Sequence, residues 1–387
     1  MINIPFQLSN KQRSFLGLIP VEPTWELVEL FGSYYYFDGD IIRKKITVND
    51  KQYREVELCV ETTEGRTMVL PKTKRGKPKK FNFTATQSFN PIGVYFSFSQ
   101  TFVMIGNYTT QLTFYGESFD TSIPVLDHLK IWLKRWISDT SVRDLEELEE
   151  FKTAKRKHCK FAEGDFFAYK IGRREWGFGR IMMDIYKYRK TKEYALKNNY
   201  GLKNLMGRPL YVKVYYKIAD TKEVDLVALS KCEAMHTTSV MDNHYYYGEK
   251  PIIGHLPLRP EELEFPISYG PSIDSQNKDV CYFQYGKIYR EVKRSVIEEA
   301  AKKYPVLKQD FTLHAIGFDF IPPSIKSCKA GHFIPNRETS SIVENSFKDL
   351  RSPQYEEARR QIMAYFGLDS SKNYVENLEL ANEMETE

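Results

Sequence analysis

The sequence predicts a mainly β protein of the α+β class. It would have two antiparallel β-rich domains, a helical connector between them and a mixed helical C-terminal region. Aromatic residues make up 14% of the 387 residues, and such side chains fit pleated sheets well. In two parts of the chain, apolar and polar residues alternate in short runs separated by polar turns. Elsewhere apolar residues recur every three or four positions, which is the period of a helix.

The first β-rich domain is expected over residues 1–120. Strands at 34–37, 41–48 and 53–60 are separated by the turn residues Asp38-Gly39-Asp40 and Asn49-Asp50, a spacing typical of a meander. Further strands are expected over 81–86, 95–99 and 110–115, where apolar and polar residues alternate. No role for this domain follows from its residues.

Residues 121–157 are predicted to form a helical connector. Two stripes of apolar residues at helical spacing support this prediction. The second helix would begin after Ser141, which is expected to cap it, and Asp144 three residues later nearly completes a capping box. The first stripe consists of Ile123, Leu126, Leu129, Leu133 and Trp136, and the second of Val142, Leu145 and Leu148.

A second, all-β domain is expected over residues 158–295, with a mixed helical region over 296–387. Strands are predicted at 166–171, 178–183, 210–216, 251–256 and 280–285, and the polar stretch 186–208 reads as an inserted excursion. In the C-terminal region one helix is expected over 295–304. Another opens at Ser352-Pro353 and ends before Gly367, while the acidic last dozen residues are expected to lack order.

Composition predicts a cytoplasmic protein without a membrane segment. The net charge is only +5, the first residues lack a basic region followed by an apolar stretch, and no window approaches the roughly 18 apolar residues of a membrane span. The five cysteines are scattered, which favours a reducing compartment over a disulfide framework. They are Cys59, Cys159, Cys232, Cys281 and Cys328.

No motif of a known enzyme class is present, so we predict no catalytic residue, no metal ligand and no cofactor. The closest approaches to a metal motif are Cys232 with His236 and His244, and Cys328 with His332, but the paired short spacing of zinc ligands is missing. Asp38 and Asp40 are explained by the turn in which they lie. An enzyme with an unrecognised site remains a third hypothesis, and a buried cluster of titratable groups would favour it.

Two charged segments are candidate binding surfaces. No Asp or Glu occurs from Arg66 to Gly116, and this stretch holds a basic loop next to phenylalanines. Such a loop could follow phosphates while bases stack on the rings, could bind an acidic protein, or could be an ordinary solvated hairpin loop. The loop residues are Lys72, Lys74, Arg75, Lys77, Lys79 and Lys80, and the acidic residues of the connector are Asp144, Glu146, Glu147, Glu149 and Glu150.

Three blocks in the middle of the chain resemble the immunity protein 26 family. The first runs over 161–171 with Glu-Gly-Asp before an apolar strand, followed by Gly-Arg and apolar residues over 177–182. The second is 251–258, and the third is the closing hairpin over 282–291. The chain departs from the family pattern in its polar excursion and in its long N-terminal region.

The resemblance implies an all-β, non-enzymatic domain of bacterial polymorphic toxin systems, which binds and neutralises a cognate protein toxin. The family has no established catalytic residues that could be carried over to this chain. Six residues of this chain match the family's motif positions, where structural or binding roles are expected. We expect Gly164-Asp165 to form a turn, Gly179 to lie at a bend or bulge, and His255 to be a hydrogen-bonded structural residue. The motif positions are Gly164, Asp165, Gly179, Arg180, Gly254 and His255. Binding of nucleic acid through the basic loop is the alternative function.

Overall fold

The computed structural model describes residues 4–69, 78–311 and 349–386. The chain divides into two compact units. The first unit comprises Met1–His158 with Tyr247–Glu249, and the second comprises Cys159–Tyr246 with Lys250–Glu387.

The first unit is built on an antiparallel seven-stranded sheet in the order β1-β2-β3-β4-β7-β8-β9, with β5 and β6 paired as a separate ribbon. Consecutive strands are joined mostly by short turns, as the meander pattern predicts. The strands are β1 (Glu26–Leu30), β2 (Ser33–Asp38), β3 (Ile41–Val48), β4 (Gln52–Glu61), β5 (Thr67–Val69), β6 (Pro78–Lys80), β7 (Ile92–Ser99), β8 (Phe102–Asn107) and β9 (Leu112–Ser118).

One face of this sheet is covered by an amphipathic helix. The buried side chains of that helix, Trp132 and Trp136 among them, share a core with alternate residues of the central strands such as Ile46 and Phe96. The helices of the unit are α1 (Asn10–Ser14), α2 (Phe83–Thr86), α3 (Val125–Ser138) and α4 (Val142–Thr153). The two helices predicted within residues 121–157 are therefore confirmed, as α3 and α4.

The strand expected over 81–86 is wrong. Residues from Phe83 form a single helical turn instead, because Oδ1 of Asn82 accepts the Ala85 amide at 2.9 Å and so caps a helix start. The apolar alternation arises because Phe81 and Ala85 face the sheet from this short loop.

The second unit contains a five-stranded antiparallel sheet in the order β13-β12-β11-β10-β14 and a three-stranded sheet in the order β15-β16-β17. Its strands are β10 (Asp165–Lys170), β11 (Trp176–Asp184), β12 (Pro209–Ala219), β13 (Thr238–Met241), β14 (Ile252–His255), β15 (Ile267–Pro271), β16 (Val280–Tyr285) and β17 (Ile288–Lys293). Together the two units confirm the predicted mainly β, α+β fold class.

The polar excursion contains three short helices, and the other helices of this unit lie between or after its strands. They are α5 (Ile185–Tyr188), α6 (Lys192–Ala195), α7 (Tyr200–Lys203), α8 (Leu226–Ser230), α9 (Asn243–Tyr246), α10 (Arg294–Ala300), α11 (Glu356–Tyr365) and α12 (Tyr374–Thr386). The 3₁₀ turns are Pro260–Glu262, Pro305–Lys308 and Pro353–Tyr355. The helix predicted after Ser352-Pro353 is confirmed, as is its end at Gly367, whose φ of +75° is typical of a helix C-terminus.

The expectation that the last dozen residues lack order is wrong. Residues 376–386 belong to α12, and Tyr374 at the start of this helix is buried in the same core as Phe265 and Phe283. The buried side-chain amide of Asn377 donates to the carbonyl oxygens of Asp369, Lys372 and Asn373, at 2.9, 3.1 and 3.0 Å. Acidic composition predicted a solvated tail, but these contacts hold the segment in the second unit.

Candidate functional site

The six family-motif positions meet where strand β10 lies between β11 and β14. Asp165 pairs with His255, while Phe166 pairs with Arg180 on one side and with Gly254 on the other. The structure therefore brings together residues that lie up to 90 positions apart in the sequence. We call this group, Gly164, Asp165, Gly179, Arg180, Gly254 and His255, the motif cluster.

Arg180 is the buried centre of the motif cluster. Its side chain is 1% exposed and donates to three backbone carbonyls, those of Gly164 at 3.3 Å, Leu256 at 2.6 Å and Pro257 at 3.0 Å. It also forms an ion pair with Glu262. The guanidinium thus joins strand β11 to the turn before β10 and to the chain after β14.

Glu262 is the counter-charge of Arg180. Its Oε2 accepts both the backbone amide and Nε of Arg259, each at 3.0 Å. Burial alone would raise the pKa of the Glu262 carboxyl, but the hydrogen bonds from Arg259 and the charge of Arg180 outweigh burial and lower that pKa. The pair is therefore charged at neutral pH and holds its charge inside the unit.

His255 is the accessible member of the motif cluster. Its side chain is 52% exposed, and Nδ1 donates to Oδ1 of Asp165 at 2.8 Å. The other carboxylate oxygen of Asp165 accepts the Ala162 amide at 2.7 Å, so this carboxylate closes the turn before β10. Asp165 is engaged on both oxygens, and the ring edge of His255 that does not bond to it is open to a partner.

Glycine is required at two motif positions because other atoms approach closely. Gly164 has a φ of +90°, and a Cβ there would lie 2.5 Å from the carbonyl oxygen of Leu256. At Gly179 a Cβ would lie 2.2 Å from Cζ of Phe167. Gly179 itself pairs regularly, and the register between β11 and β12 changes on either side of it, between Gly177 and Phe178 and between Ile181 and Met183. Close packing, and not a bulge, therefore explains this glycine.

A second charged network in the same unit was missed by sequence reasoning. Glu264 accepts Nδ1 of His236 at 2.6 Å, the Thr237 amide at 3.0 Å and Nη1 of Arg351 at 3.0 Å. Arg351 also pairs with Asp349 at 2.8 Å. We call Glu264, His236, Arg351 and Asp349 the buried network; Arg351 and Asp349 are buried, whereas the side chains of Glu264 and His236 are 30% and 35% exposed. No local pattern reveals it, because its members lie in three separate parts of the sequence.

The buried network holds its carboxylates ionised. Burial opposes ionisation, but Arg351 outweighs it and lowers the pKa of Glu264 to about 2, with His236 adding to the effect. The pKa of Asp349 is likewise lowered to about 2, against the effect of burial, by Arg351. This is a buried cluster of titratable groups, the feature that would favour an enzyme, but each of its carboxylates already has a cationic partner.

The residues considered as metal ligands do not converge where the structure describes them. Within residues 4–69, 78–311 and 349–386, no three His, Cys, Asp or Glu side chains form a metal-ligating group. His236 bonds to Glu264, and Sγ of Cys232 lies 3.5 Å from the Ala228 carbonyl oxygen. Cys328 and His332 lie outside the described residues.

Most of the basic loop also lies outside the described residues. This applies to Lys72, Lys74, Arg75 and Lys77, and to the side chain of Lys79, whereas Lys80 is described and exposed. Of the nearby phenylalanines, Phe81 and Phe89 pack edge-on against Tyr35, at 5.0 and 6.3 Å between ring centres.

The acidic face of the connector is smaller than expected. Asp144 is buried, because its carboxylate accepts the Ser141 amide at 2.8 Å and completes the predicted capping box. Glu146, Glu149 and Glu150 are exposed, and Glu147 is partly exposed. Val142 and Leu145, expected on a buried stripe, are exposed, and of that stripe only Leu148 is buried.

Part of the second unit matches a known protein family. Residues 162–279 match the model of immunity protein 26. The match begins at the turn of the motif cluster and contains all six of its residues. The predicted resemblance to immunity protein 26 is thus confirmed over just under a third of the chain, and the third sequence block, at 282–291, lies beyond the match.

The searches of curated proteins and of solved structures gave no significant match. Among the described residues, no helix has the length and apolar character to cross a membrane.

Proposed function

We propose that this protein is a bacterial immunity protein, which binds a cognate polymorphic toxin and neutralises it by forming a stoichiometric complex. The match of residues 162–279 to immunity protein 26 is the observation that carries the proposal. The partner is a protein toxin, and no cofactor takes part. A cytoplasmic location fits the free thiols of the four described cysteines.

The chemistry of the motif cluster supports binding over catalysis. Arg180 and Glu262 are buried and hydrogen-bonded to each other and to backbone groups, so neither side chain is accessible to a substrate. In this proposal the cluster holds three strands in place, and exposed groups around it, such as the His255 ring, contact the toxin. A stable complex of this kind would bury roughly 1,200–2,000 Å² in total.

The first test is genetic. The product of the gene adjacent to this one is expressed with this protein and, in a parallel culture, without it. We expect growth to be restored only when both are present. Equal growth in the two cultures would contradict the proposal.

A titration then separates binding from enzymatic inactivation. A fixed amount of the purified toxin is mixed with increasing amounts of this protein, and the remaining toxic activity is measured. A stoichiometric inhibitor reaches its end point near one molecule per toxin, whereas an enzyme completes inactivation at a small fraction of that ratio. An end point far below equimolar would overturn the non-enzymatic part of the proposal.

Nucleic-acid binding through residues 72–80 is the second candidate function. It is favoured by the absence of Asp and Glu from Arg66 to Gly116 and by the exposed phenylalanine Phe83 beside Lys80. Affinity for single-stranded nucleic acid would then fall steeply with salt. If a triple change of Lys74, Arg75 and Lys77 to alanine leaves binding untouched, this candidate fails.

A further inference from the structure

A polar pocket of about 370 Å³ opens on the sheet of the first unit. Its floor is formed by side chains of β2, β3 and β4, including Ser33, Thr47 and Gln52, and residues 86–91 form a wall. Lys45, Thr47 and Arg54 alternate with Ile46 and Tyr53, which belong to the core beneath helix α3. The pocket therefore lies on the sheet face opposite that helix.

Two cations line this pocket, and neither has an acidic partner among the described residues. Lys45 and Arg54 are the charged residues of the lining. The Lys45 ammonium lies 5.6 Å from the centre of the Tyr35 ring, and Arg54 donates to the Tyr108 hydroxyl. Neither cation forms an ion pair with a carboxylate in the part of the chain that the structure describes. The pocket therefore carries two positive charges that no described side chain neutralises.

The nearest acidic residues of the same strands are directed elsewhere. Glu55 on β4 is bonded to Lys44 at 2.6 Å within the opposite face, and Glu57 accepts the Ile19 amide at 2.9 Å. The wall over 86–91 belongs to the stretch from Arg66 to Gly116, which contains no Asp or Glu. These two glutamates and the wall thus add little negative charge to the pocket.

The remaining lining combines hydrogen-bonding groups with an apolar side. The Ser33 and Thr47 hydroxyls lie 3.3 Å apart, and Gln52 follows on the adjacent strand. Phe89 and Val56 supply apolar surface. A phosphate monoester carries about −1.5 to −2 charges at neutral pH and three strong acceptor oxygens, so it matches two cations with neighbouring hydroxyl donors. The volume lies within the range of roughly 300–1,000 Å³ that is usual for small-molecule sites.

We propose that this pocket binds a small phosphate monoester, with the phosphate between Lys45 and Arg54 and an apolar or aromatic body against Phe89. The inference goes beyond toxin binding and gives a ligand to the N-terminal region, for which the sequence assigned no role. It does not depend on the immunity function, because it rests on the first unit alone.

The experiment is calorimetric titration of the full chain with phenyl phosphate and with the four nucleoside 5′-monophosphates, at concentrations up to about 1 mM. Inorganic phosphate, phenol and benzoate serve as ligand controls. We expect at least one phosphate ester to bind at one site per chain and more tightly than any control compound. Affinity should fall with rising salt.

Two variants and a matched control locate the binding. Lys45→Gln and Arg54→Gln should each weaken binding at least tenfold, with the circular dichroism spectrum unchanged. Lys134→Gln, an exposed lysine on helix α3 that covers the other face, should bind as the unchanged protein does. The proposal is overturned if no phosphate ester binds, if benzoate binds more tightly than phenyl phosphate, or if Lys134→Gln weakens binding as much as the pocket variants.

Discussion

At the scale of single residues, each unit contains charged side chains that are buried and form ion pairs with one another. In the first unit Glu55 is fully buried and receives hydrogen bonds from Lys44 at 2.6 Å, Arg13 at 2.8 Å and the Tyr53 hydroxyl at 2.6 Å. Burial alone would raise the pKa of Glu55, but the charges of Lys44 and Arg13 outweigh it and lower that pKa. Two cations and one carboxylate thus share a buried site.

Glu55→Ala should therefore destabilise the first unit by about 3–5 kcal/mol, because it leaves two cations buried without a counter-charge. Urea unfolding followed by tryptophan fluorescence measures this, since Trp25, Trp132 and Trp136 all lie in the first unit. The control is Glu149→Gln, which removes an exposed pair with Lys152 and should cost less than about 1 kcal/mol. Similar losses in the two variants would contradict the argument.

Arg180 makes the corresponding prediction for the second unit. Arg180→Met removes the donor to three backbone carbonyls and leaves Glu262 with Arg259 alone, so we expect a loss of about 3–5 kcal/mol. Hydrogen exchange of peptides from strands β10 and β11 would report it. His255→Gln removes a half-exposed partner and should cost less than about 1 kcal/mol. Unchanged protection in Arg180→Met would show that this arginine is dispensable for the fold.

The role of a residue could be predicted where it depends on neighbouring residues in the sequence. It could not be predicted where the interaction partner is distant in the sequence. The Gly164 turn could be inferred because Gly-Asp before an apolar run is a turn signal. Nothing around Arg180 indicates that its counter-charge is Glu262, 82 positions away. Glu55 as the partner of Arg13 and Glu264 as a partner of Arg351 are hidden for the same reason, because an ion pair between distant residues leaves no periodic pattern in the sequence.

At the scale of elements, periodicity and caps predicted most strands and the longer helices. Two of the failures are elements that depend on one asparagine side chain. The Asn82 cap converts an apparently alternating strand into the helical turn α2, and Asn377 helps to hold α12 in an acidic segment. A cap of this kind is visible in the sequence only after the competing strand has been excluded.

The capping box of α4 gives the prediction at this scale. Ser141→Ala removes the hydroxyl that accepts the Asp144 amide at 3.2 Å and should destabilise the first unit by about 1 kcal/mol. The matched control is Ser138→Ala at the end of α3, whose hydroxyl donates to a carbonyl that water can reach, and a change below about 0.5 kcal/mol is expected. Thermal unfolding measures both. Equal midpoints for the two variants would show that the cap is not used.

At the scale of the whole molecule, the second unit joins the segment matched by immunity protein 26 to the C-terminal region. Arg351 donates to the Thr237 carbonyl at 2.8 Å and to Glu264 at 3.0 Å, so residues more than 80 positions apart share one ionic network. Phe366 and Tyr374 pack in one core with Phe265 and Phe283. Sequence patterns indicated a mixed C-terminal region but not this packing, because long-range contacts leave no mark on local periodicity.

This ionic network makes the stability of the second unit dependent on pH. The folded pKa values of Glu264 and Asp349 are both lowered to about 2, from ordinary values of 4.5 and 3.8. A lowered carboxylate pKa contributes stability that is complete above the ordinary value and is lost as the pH falls through the folded value. We therefore expect the second unit to lose stability between about pH 5 and pH 2.

Arg351→Met tests the cause, since it leaves the buried Asp349 carboxylate and the partly buried Glu264 carboxylate without this cation. At pH 7 we expect it to cost about 3–5 kcal/mol, and the difference from the unchanged protein should shrink towards pH 3 because the uncompensated carboxylates take up protons. Hydrogen exchange of second-unit peptides at pH 7 and urea unfolding at several pH values measure this. Arg360→Gln, which removes an exposed pair with Glu357, should be nearly neutral at every pH. A difference between Arg351→Met and the unchanged protein that stays constant across this range would mean that the network does not hold its carboxylates ionised.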